Sequence, residues 1–132
     1  MIYTIDHVVL TTADIDKCID FYVEVLGMTL KTFGENRKAL MFGEQKINLH
    51  VAGSELIPHA SRPLPGSQDW CFICTTPVAD WIETFNEAGV NVIEGPVERT
   101  GALGPITSVY VNDPDGNLIE IGNYSSEVKL LY

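Results

Sequence analysis

Short apolar runs and helical periodicities alternate along this chain in an order that occurs twice. Residues 5–12 form an apolar run of strand length, and apolar positions then recur at helical spacing from Ile15 to Leu26. Asp14 suits a helix N-cap, and Gly27 is the stop expected just past a helix end. Three strand-like runs follow, at 28–33, 39–42 and 46–51, with turns at 34–36 and 43–44. This pattern predicts a β-α-β-β-β unit over residues 3–52.

The same order returns in the second half. A strand is predicted over 69–75 and a helix after Pro77, ended by Gly89, which lies 62 residues after Gly27. Strands at 90–94, 106–112 and 117–124 follow, with a Pro/Gly turn at 113–116 before the last. We therefore predict an α+β fold in which two tandem β-α-β-β-β units, at 3–52 and 69–124, form a curved mixed sheet around a cleft, within one domain of residues 1–132.

The segment between the units, residues 53–68, contains three prolines and two glycines that prevent regular structure. It is too long for an ordinary tight connection, so it is either a linker or a loop that covers a site. A tail of residues 125–132 follows the last strand. Its end, Val128–Tyr132, is apolar where a polar end is expected, and we predict a homodimer that covers it.

Charge and composition limit the partners. Eight basic and eighteen acidic residues give a net charge of −10, which repels phosphate backbones and anionic lipids, so nucleic acid and membranes are not expected partners. No apolar run approaches the ~20 residues that span a bilayer. Residues 1–4 lack the basic and apolar segments of a secretion signal, and we expect a cytoplasmic protein.

The three cysteines are expected to be reduced thiols in that compartment. Cys71 and Cys74 have a C-x-x-C spacing, but they lie in a predicted strand, where positions three apart point to opposite faces. We therefore predict that they pack in the core and bind no metal.

Three residues far apart in the chain suggest a catalytic metal. His7, His50 and Glu120 each lie within a short apolar run of strand type. Two imidazoles and a carboxylate are a ligand set that binds a divalent metal and leaves coordination positions open. The 62-residue offset takes His7 to Asp69, so four positions are predicted to converge on one cleft. Asp69 also follows a turn, where a capping role is an alternative.

These motifs, taken in order, resemble the vicinal oxygen chelate superfamily, which contains glyoxalases, bleomycin resistance proteins and dioxygenases. The resemblance rests on residues 5–10, 18–28 and 113–120 and covers nearly the whole chain. The stretch 95–110 is similar to a small glyoxalase-like subgroup that includes a bacterial virulence-associated protein.

The resemblance implies a role for each candidate. His7 and Glu120 would be the metal ligands of the first and last strands. His50 falls where glyoxalase I supplies a Glu, and Asp69 where most members supply a second His. Asp69 would ligate the metal, orient a ligand, or act as a base. Arg99 would face the cleft mouth and suit a substrate carboxylate or phosphate, with a surface salt bridge as the alternative. Tyr110 would line the cavity or fill it.

The function predicted from these residues is a metal-dependent lyase or isomerase of the glyoxalase type. Its small-molecule substrate would chelate the metal through adjacent oxygens, and Glu120 or Asp69 would move the proton as catalytic residues. The mixed ligand set suits Zn, Ni, Co, Mn or Fe. A non-haem Fe(II) dioxygenase and a non-catalytic protein that binds a drug or antibiotic are the alternatives.

Overall fold

The structure is a computed structural model that describes residues 1–129. Two compact units group the chain: unit 1 is Met1–Gln68 with Pro114–Gly116, and unit 2 is Asp69–Asp113 with the residues from Asn117 onward. Each unit has the predicted β-α-β-β-β order and one four-stranded mixed sheet, which confirms the predicted fold class. The elements of unit 1 are β1 (His7–Thr12), α1 (Ile15–Asp20), a π-helical turn (Phe21–Val25), β2 (Thr29–Phe33), β3 (Arg37–Phe42) and β4 (Gln45–Val51). Those of unit 2 are β5 (Asp69–Ile73), α2 (Val78–Glu87), β6 (Glu94–Gly101), β7 (Gly104–Asn112) and β8 (Leu118–Tyr124).

In unit 1 the strand order is β1-β4-β3-β2, and β1 runs parallel to β4. Asp14 caps α1 as predicted, since its side chain accepts a hydrogen bond from Lys17 N at 3.2 Å. The α1 segment and the face of the sheet that carries Leu10, Leu40 and Ile47 contribute the buried apolar core. Strand alternation turns the other face, which carries both histidines of this sheet, away from that core.

The loop segment Pro114–Gly116 contributes to unit 1 through one carboxylate. Asp115 accepts a hydrogen bond from Thr12 Oγ1 at 2.5 Å and another from Ala13 N at 2.9 Å. These hydrogen bonds hold the backbone in place between the end of β1 and the N-cap of α1.

In unit 2 the strand order is β5-β8-β7-β6, and β5 runs parallel to β8. Phe85 of α2 is fully buried, and the apolar face that faces the core carries Val109, Val111, Ile119 and Ile121. Asn123 holds the start of α2 by accepting a hydrogen bond from Val78 N at 2.8 Å. Ser108, Tyr110 and Glu120 alternate onto the opposite face of this sheet, where the candidate site lies.

The predicted strand at 90–94 is wrong in position, because the strand begins at Glu94 and continues to Gly101. Val90 N still bonds back to Phe85 O at 2.8 Å, so the chain leaves the helix end before it reaches the sheet. β6 is an edge strand, where Pro96 is tolerated because no partner needs its missing N–H, and a register shift between Glu94 and Val97 accommodates it. The helix predicted from Ile15 to Leu26 is α-helical only to Asp20 and continues as the π-helical turn.

Two expectations concern the periphery of the chain. Within residues 1–129 there is no helix with the length and apolar character needed to cross a membrane. Leu130–Tyr132, on which the homodimer expectation partly rests, lie outside the described residues, so the homodimer stays a prediction.

Candidate functional site

Glu120 lies near the middle of β8, an interior strand of unit 2. The register places Cys71 of β5 on one side of it and Tyr110 of β7 on the other. Paired residues in a sheet share a face, so these three side chains stand on the same face, together with Ser108 and Asp69 at the next positions along their strands. The sheet thus gathers a carboxylate, a phenol, a thiol and a hydroxyl around one position.

The Glu120 carboxylate is held by its neighbours. Ser108 is fully buried, and its Oγ donates a hydrogen bond to Glu120 Oε2 at 2.6 Å, a length typical of a charge-assisted bond. Cys71 also hydrogen-bonds to Glu120. Cys71 is an exposed residue, but its thiol is partly buried. This burial and, as the second cause, the charge of Glu120 raise the pKa of Cys71 to about 11. The thiol therefore stays protonated at neutral pH and acts here as a donor. The prediction that Cys71 packs in the core is wrong.

Arg99 and Tyr110 form a pair beside this carboxylate. Arg99 Nε donates to the Tyr110 hydroxyl at 3.0 Å, and its guanidinium lies 5.4 Å from the centre of the Tyr110 ring. A second nitrogen of Arg99 contacts Glu94 at 3.3 Å. Burial, opposed by the Arg99 hydrogen bond and reinforced by Glu120, raises the pKa of Tyr110. The phenol is thus a proton donor whose oxygen is already positioned by Arg99.

Asp69 stands at the first position of β5, opposite Leu118. It lies one diagonal step from Glu120 on the same face, which corresponds to about 8 Å between Cα atoms. Its residue is exposed, and its carboxylate makes no hydrogen bond or ion pair to any residue of the described range 1–129. A turn-capping role for this carboxylate thus has no hydrogen bond to support it.

His7 is the first residue of β1 in unit 1. Its Nδ1 pairs with Asp6 Oδ1 at 2.7 Å, and its side chain is 45% exposed. A carboxylate on one ring nitrogen fixes the tautomer and directs the other nitrogen outward, an arrangement typical of metal-ligating histidines. Asp6 thus gives His7 the supporting carboxylate that metal-ligating histidines usually have.

The structure does not bring His7 and His50 together. The parallel register pairs His7 with Lys46 and His50 with Thr11, four residues further along β1. Four residues of strand span about 13 Å, and side chains stand nearly perpendicular to a sheet, so the two rings do not reach one ion. The strand pairing also shows which residue of unit 1 corresponds to Glu120: Asn48 lies two positions past the partner of His7, as Glu120 lies two past the partner of Asp69.

Sequence reasoning missed Asn48, which is 5% exposed and whose Oδ1 has no hydrogen-bond partner within residues 1–129. It also missed Ser108 and Cys71, the two polar neighbours of Glu120. The symmetry of the β7–β8 hairpin about its turn was the available signal, since it places Tyr110 opposite Glu120 and Ser108 one step along the same face. For Asn48 the signal was the alternation in β4, which places Asn48 and His50 on the same face of the strand.

Comparison with known proteins identifies the family to which this site belongs. The model of the Glyoxalase/Bleomycin resistance protein/Dioxygenase superfamily matches residues 4–121. The chain belongs to this superfamily. Within the superfamily it is similar to virulence protein STM3117 of Salmonella typhimurium, with 59% identity over 120 residues that cover 91% of this chain and 83% of the relative. The crystal structure of that protein matches with a TM-score of 0.92, covering 94% of this chain and 98% of the other.

The chain is also similar to two proteins whose names differ from that of the virulence protein. The glyoxalase domain-containing protein RDO1 of Mycosarcoma maydis is 55% identical over 121 residues, covering 92% of this chain and 68% of the relative. The metallothiol transferase FosB of Staphylococcus saprophyticus is 28% identical over 132 residues, covering all of this chain and 84% of the relative. The superfamily therefore includes metal-dependent enzymes, as its resemblance to this sequence implied.

The superfamily's use of divalent metals must be compared with the residues of this chain. Over residues 1–129, neither unit groups three His, Cys, Asp or Glu side chains as a metal site. His7 and Glu120 nevertheless fit the chemistry of ligands, because each has one polar atom occupied by a supporting partner. His50 does not fit beside His7, for the reason of register given above.

Proposed function

We propose that this protein is a divalent-metal-dependent enzyme, a lyase or isomerase that acts on a small molecule with two adjacent oxygen atoms. The observation that carries the proposal is the setting of Glu120: a carboxylate on an interior strand, half-buried, held by Ser108 at 2.6 Å and bordered by the Arg99–Tyr110 pair. An unpaired carboxylate at such a position is costly, and a carboxylate prepared by neighbouring donors is typical of a site that binds or moves charge.

The residues that we propose as metal ligands are His7 in unit 1 and Glu120 in unit 2, each considered within its own unit. The Asp6–His7 pair leaves the second ring nitrogen available, and the Ser108 bond to Oε2 orients the Glu120 carboxylate. Asn48 shares a sheet face with His7 and offers a further oxygen donor. The bound ion would polarise the two oxygens of the substrate. Membership of a superfamily that contains a metallothiol transferase supports this assignment.

Proton transfer is assigned to the carboxylates of unit 2. Asp69 is exposed and its carboxylate forms no hydrogen bond within residues 1–129, so its oxygens are available to accept a proton from a substrate carbon. Glu120 accepts hydrogen bonds from Ser108 and Cys71 and is proposed as a metal ligand. Its oxygens are therefore less available to accept a proton than those of Asp69. Asp69 is therefore the general base that we favour.

Arg99 and Tyr110 are the substrate-binding residues in this proposal. Arg99 reaches Tyr110, Glu94 and the carbonyl oxygen of Glu98 at once, so its position is fixed before any substrate arrives. A fixed guanidinium beside a phenol that stays protonated presents donors to a polar group of the substrate. Such preorganisation favours one orientation of the substrate over others.

Metal content tests the proposal. We expect wild-type protein, loaded separately with Zn, Ni, Co, Mn or Fe and then desalted, to retain one ion per chain of at least one metal. His7→Ala and Glu120→Gln should each hold far less metal than wild type, because the first removes a ligand nitrogen and the second replaces a charged carboxylate with a neutral amide. Elemental analysis of the folded variants gives the stoichiometry.

Two control variants sharpen that measurement. Glu98→Gln alters a carboxylate that also accepts a hydroxyl hydrogen bond, from Thr107 at 3.0 Å, but on the opposite face of the same sheet. His50→Gln removes the histidine that the register separates from His7. Both should retain metal. Wild-type protein that holds none of the five metals, or His7→Ala and Glu120→Gln that hold as much as wild type, would contradict the proposal.

The hydroxyl of Ser108 should tune the same affinity. Ser108→Ala removes the 2.6 Å bond that orients Glu120, and loss of such a supporting partner typically costs about 10–100-fold in metal affinity. Competition with a chelator measures this change. Thr107→Ala, which removes the hydroxyl bonded to Glu98, is the matched control and should leave metal affinity unchanged. Equal affinities for Ser108→Ala and wild type would show that the serine has only a packing role.

A further inference from the structure

The long segment that follows β4 covers part of unit 1 and encloses a small pocket. The pocket has a volume of about 80 Å³, and its floor is the sheet face at Val9, Thr11 and His50. Its cover is formed by the loop, including His59, Arg62 and Ser67. Because a water molecule occupies about 30 Å³ of liquid, the pocket has room for about three atoms of that size. Of the two interpretations of this loop from sequence, linker or cover, its contacts favour a cover.

The floor of the pocket contains a buried imidazole with one ring nitrogen that has no hydrogen-bond partner among residues 1–129. His50 is 6% exposed, and its Nδ1 makes no hydrogen bond within the described residues. A buried polar group that is left unsatisfied costs about 1–3 kcal/mol, so native proteins rarely keep one unless something binds there. The imidazole of His50 is therefore available to a group that binds in the pocket.

The charges around the pocket identify the class of that group. Burial and then the positive charges of Arg37 and His59 lower the pKa of His50. Arg37 lies beside His50 on the same face, because its neighbour Lys38 pairs with Leu49. Arg62 lines the pocket, and its guanidinium forms no hydrogen bond or ion pair with any residue in the described part of the chain. Cationic groups therefore surround His50 on more than one side.

Negative charge near the pocket is already engaged. The charge of Glu55 opposes the lowering of the His50 pKa, but it is the smallest of the contributions. The Glu55 carboxylate also accepts a hydrogen bond from Gly53 N at 2.9 Å. His59 donates from Nδ1 to Ala60 O at 2.7 Å, which leaves its Nε2 available. The pocket is lined by the guanidinium of Arg62 and by two imidazoles and contains no carboxylate, which favours an anion over a metal ion.

We propose that this pocket binds an oxyanion of a small molecule, a carboxylate or a phosphate group, between Arg62, His59 and the buried His50. The planar guanidinium of Arg62 matches either group in a bidentate manner, and His50 supplies the donor at the bottom of the pocket. Thr11 adds a hydroxyl from β1. The site is built within unit 1 and does not depend on the metal proposed above.

Titration of the isotope-labelled full chain tests this site. Sodium acetate, sodium phosphate and sodium chloride are added at matched ionic strength, and the imidazole resonances of His50 and His59 are followed by NMR. We expect a saturable shift with acetate or phosphate and none with chloride. The anion that saturates at lower concentration identifies the group that the pocket prefers. Absence of saturation with both oxyanions would overturn the proposal.

Variants separate the pocket from general surface charge. Arg62→Gln and His50→Gln should each weaken the anion that binds by at least about tenfold, as expected for loss of a charge-assisted hydrogen bond. Lys38→Gln also removes one donor-bearing cation from this sheet, but Lys38 lies on the opposite face and bonds to Thr32 at 3.0 Å. It should bind as wild type does. If Arg62→Gln binds like wild type, or if Lys38→Gln weakens binding as much as Arg62→Gln, the pocket is not the site.

Discussion

Gly95→Ala is expected to lower the free energy of unfolding by about 3 kcal/mol or more. Gly95 has a φ of +119°, which a residue with a side chain rarely adopts, and a Cβ there would lie 2.6 Å from Ser108 O and 2.8 Å from Val109 Cα. Both atoms belong to the backbone and cannot rotate away. Backbone strain and overpacking each cost about 1–3 kcal/mol, and here they act together.

The consequence extends to the candidate site because β6 would have to move away from β7. β6 carries Arg99, whose bond to Tyr110 depends on that pairing. Chemical denaturation measures the loss of stability. Gly104→Ala is the matched control, since Gly104 lies in the same hairpin with a φ of +142° but a Cβ added there would meet no described atom within 4 Å. It should lose clearly less, and equal losses for the two variants would show that the close approach to β7 has no effect.

The order of the elements was predictable because its signals are local. Apolar periodicity distinguishes strands from helices, and Asp14, Gly27 and Gly89 mark helix ends through their own backbone and side-chain chemistry. The start of β6 was not predictable in the same way. Pro96 argues against a strand when neighbours are considered alone, and only the position of β6 at the sheet edge makes the proline acceptable.

The candidate site was predictable to the level of the strand but not of the register. His7 and Asp69 were correctly placed on the first strands of the two units, and Glu120 lies on the expected last strand. His50 and Asn48 share one face of β4, so alternation does not distinguish them. The choice depends on how β4 slides against β1, more than thirty residues away in sequence, and a slip of two residues leaves every side chain on its face.

Loop residues were harder still to predict. His59 and Arg62 lie in a segment without periodicity, and nothing in their neighbours along the chain indicates that they face His50. The contact arises because the loop folds back over the sheet, which is a property of tertiary structure. A long Pro-rich loop next to a strand with a buried histidine is the pattern that would justify the search in other sequences.

Asp113→Ala is expected to lower the free energy of unfolding by about 3 kcal/mol. Asp113 is 5% exposed, and its carboxylate accepts hydrogen bonds from Asn117 N at 2.9 Å and Asn117 Nδ2 at 2.7 Å. Asn117 is fully buried, so the substitution leaves two of its donors without this acceptor. Hydrogen bonds to charged groups are worth about 1.5–3 kcal/mol each, so the loss of these two corresponds to about 3 kcal/mol at the lower end of that range.

This carboxylate also determines how β8 enters the sheet. Asn117 immediately precedes β8, and the pairing of β8 with β7 places Glu120 beside Tyr110 and within reach of Ser108. The Asp113→Ala variant should therefore be less stable in denaturant unfolding, and the folded variant should also retain less metal than wild type. Glu83→Ala removes an equal charge from an exposed position of α2 and should change stability by less than about 0.5 kcal/mol. If Asp113→Ala is no less stable than Glu83→Ala, the turn does not hold β8, and the position of Glu120 must depend on the strand pairing alone.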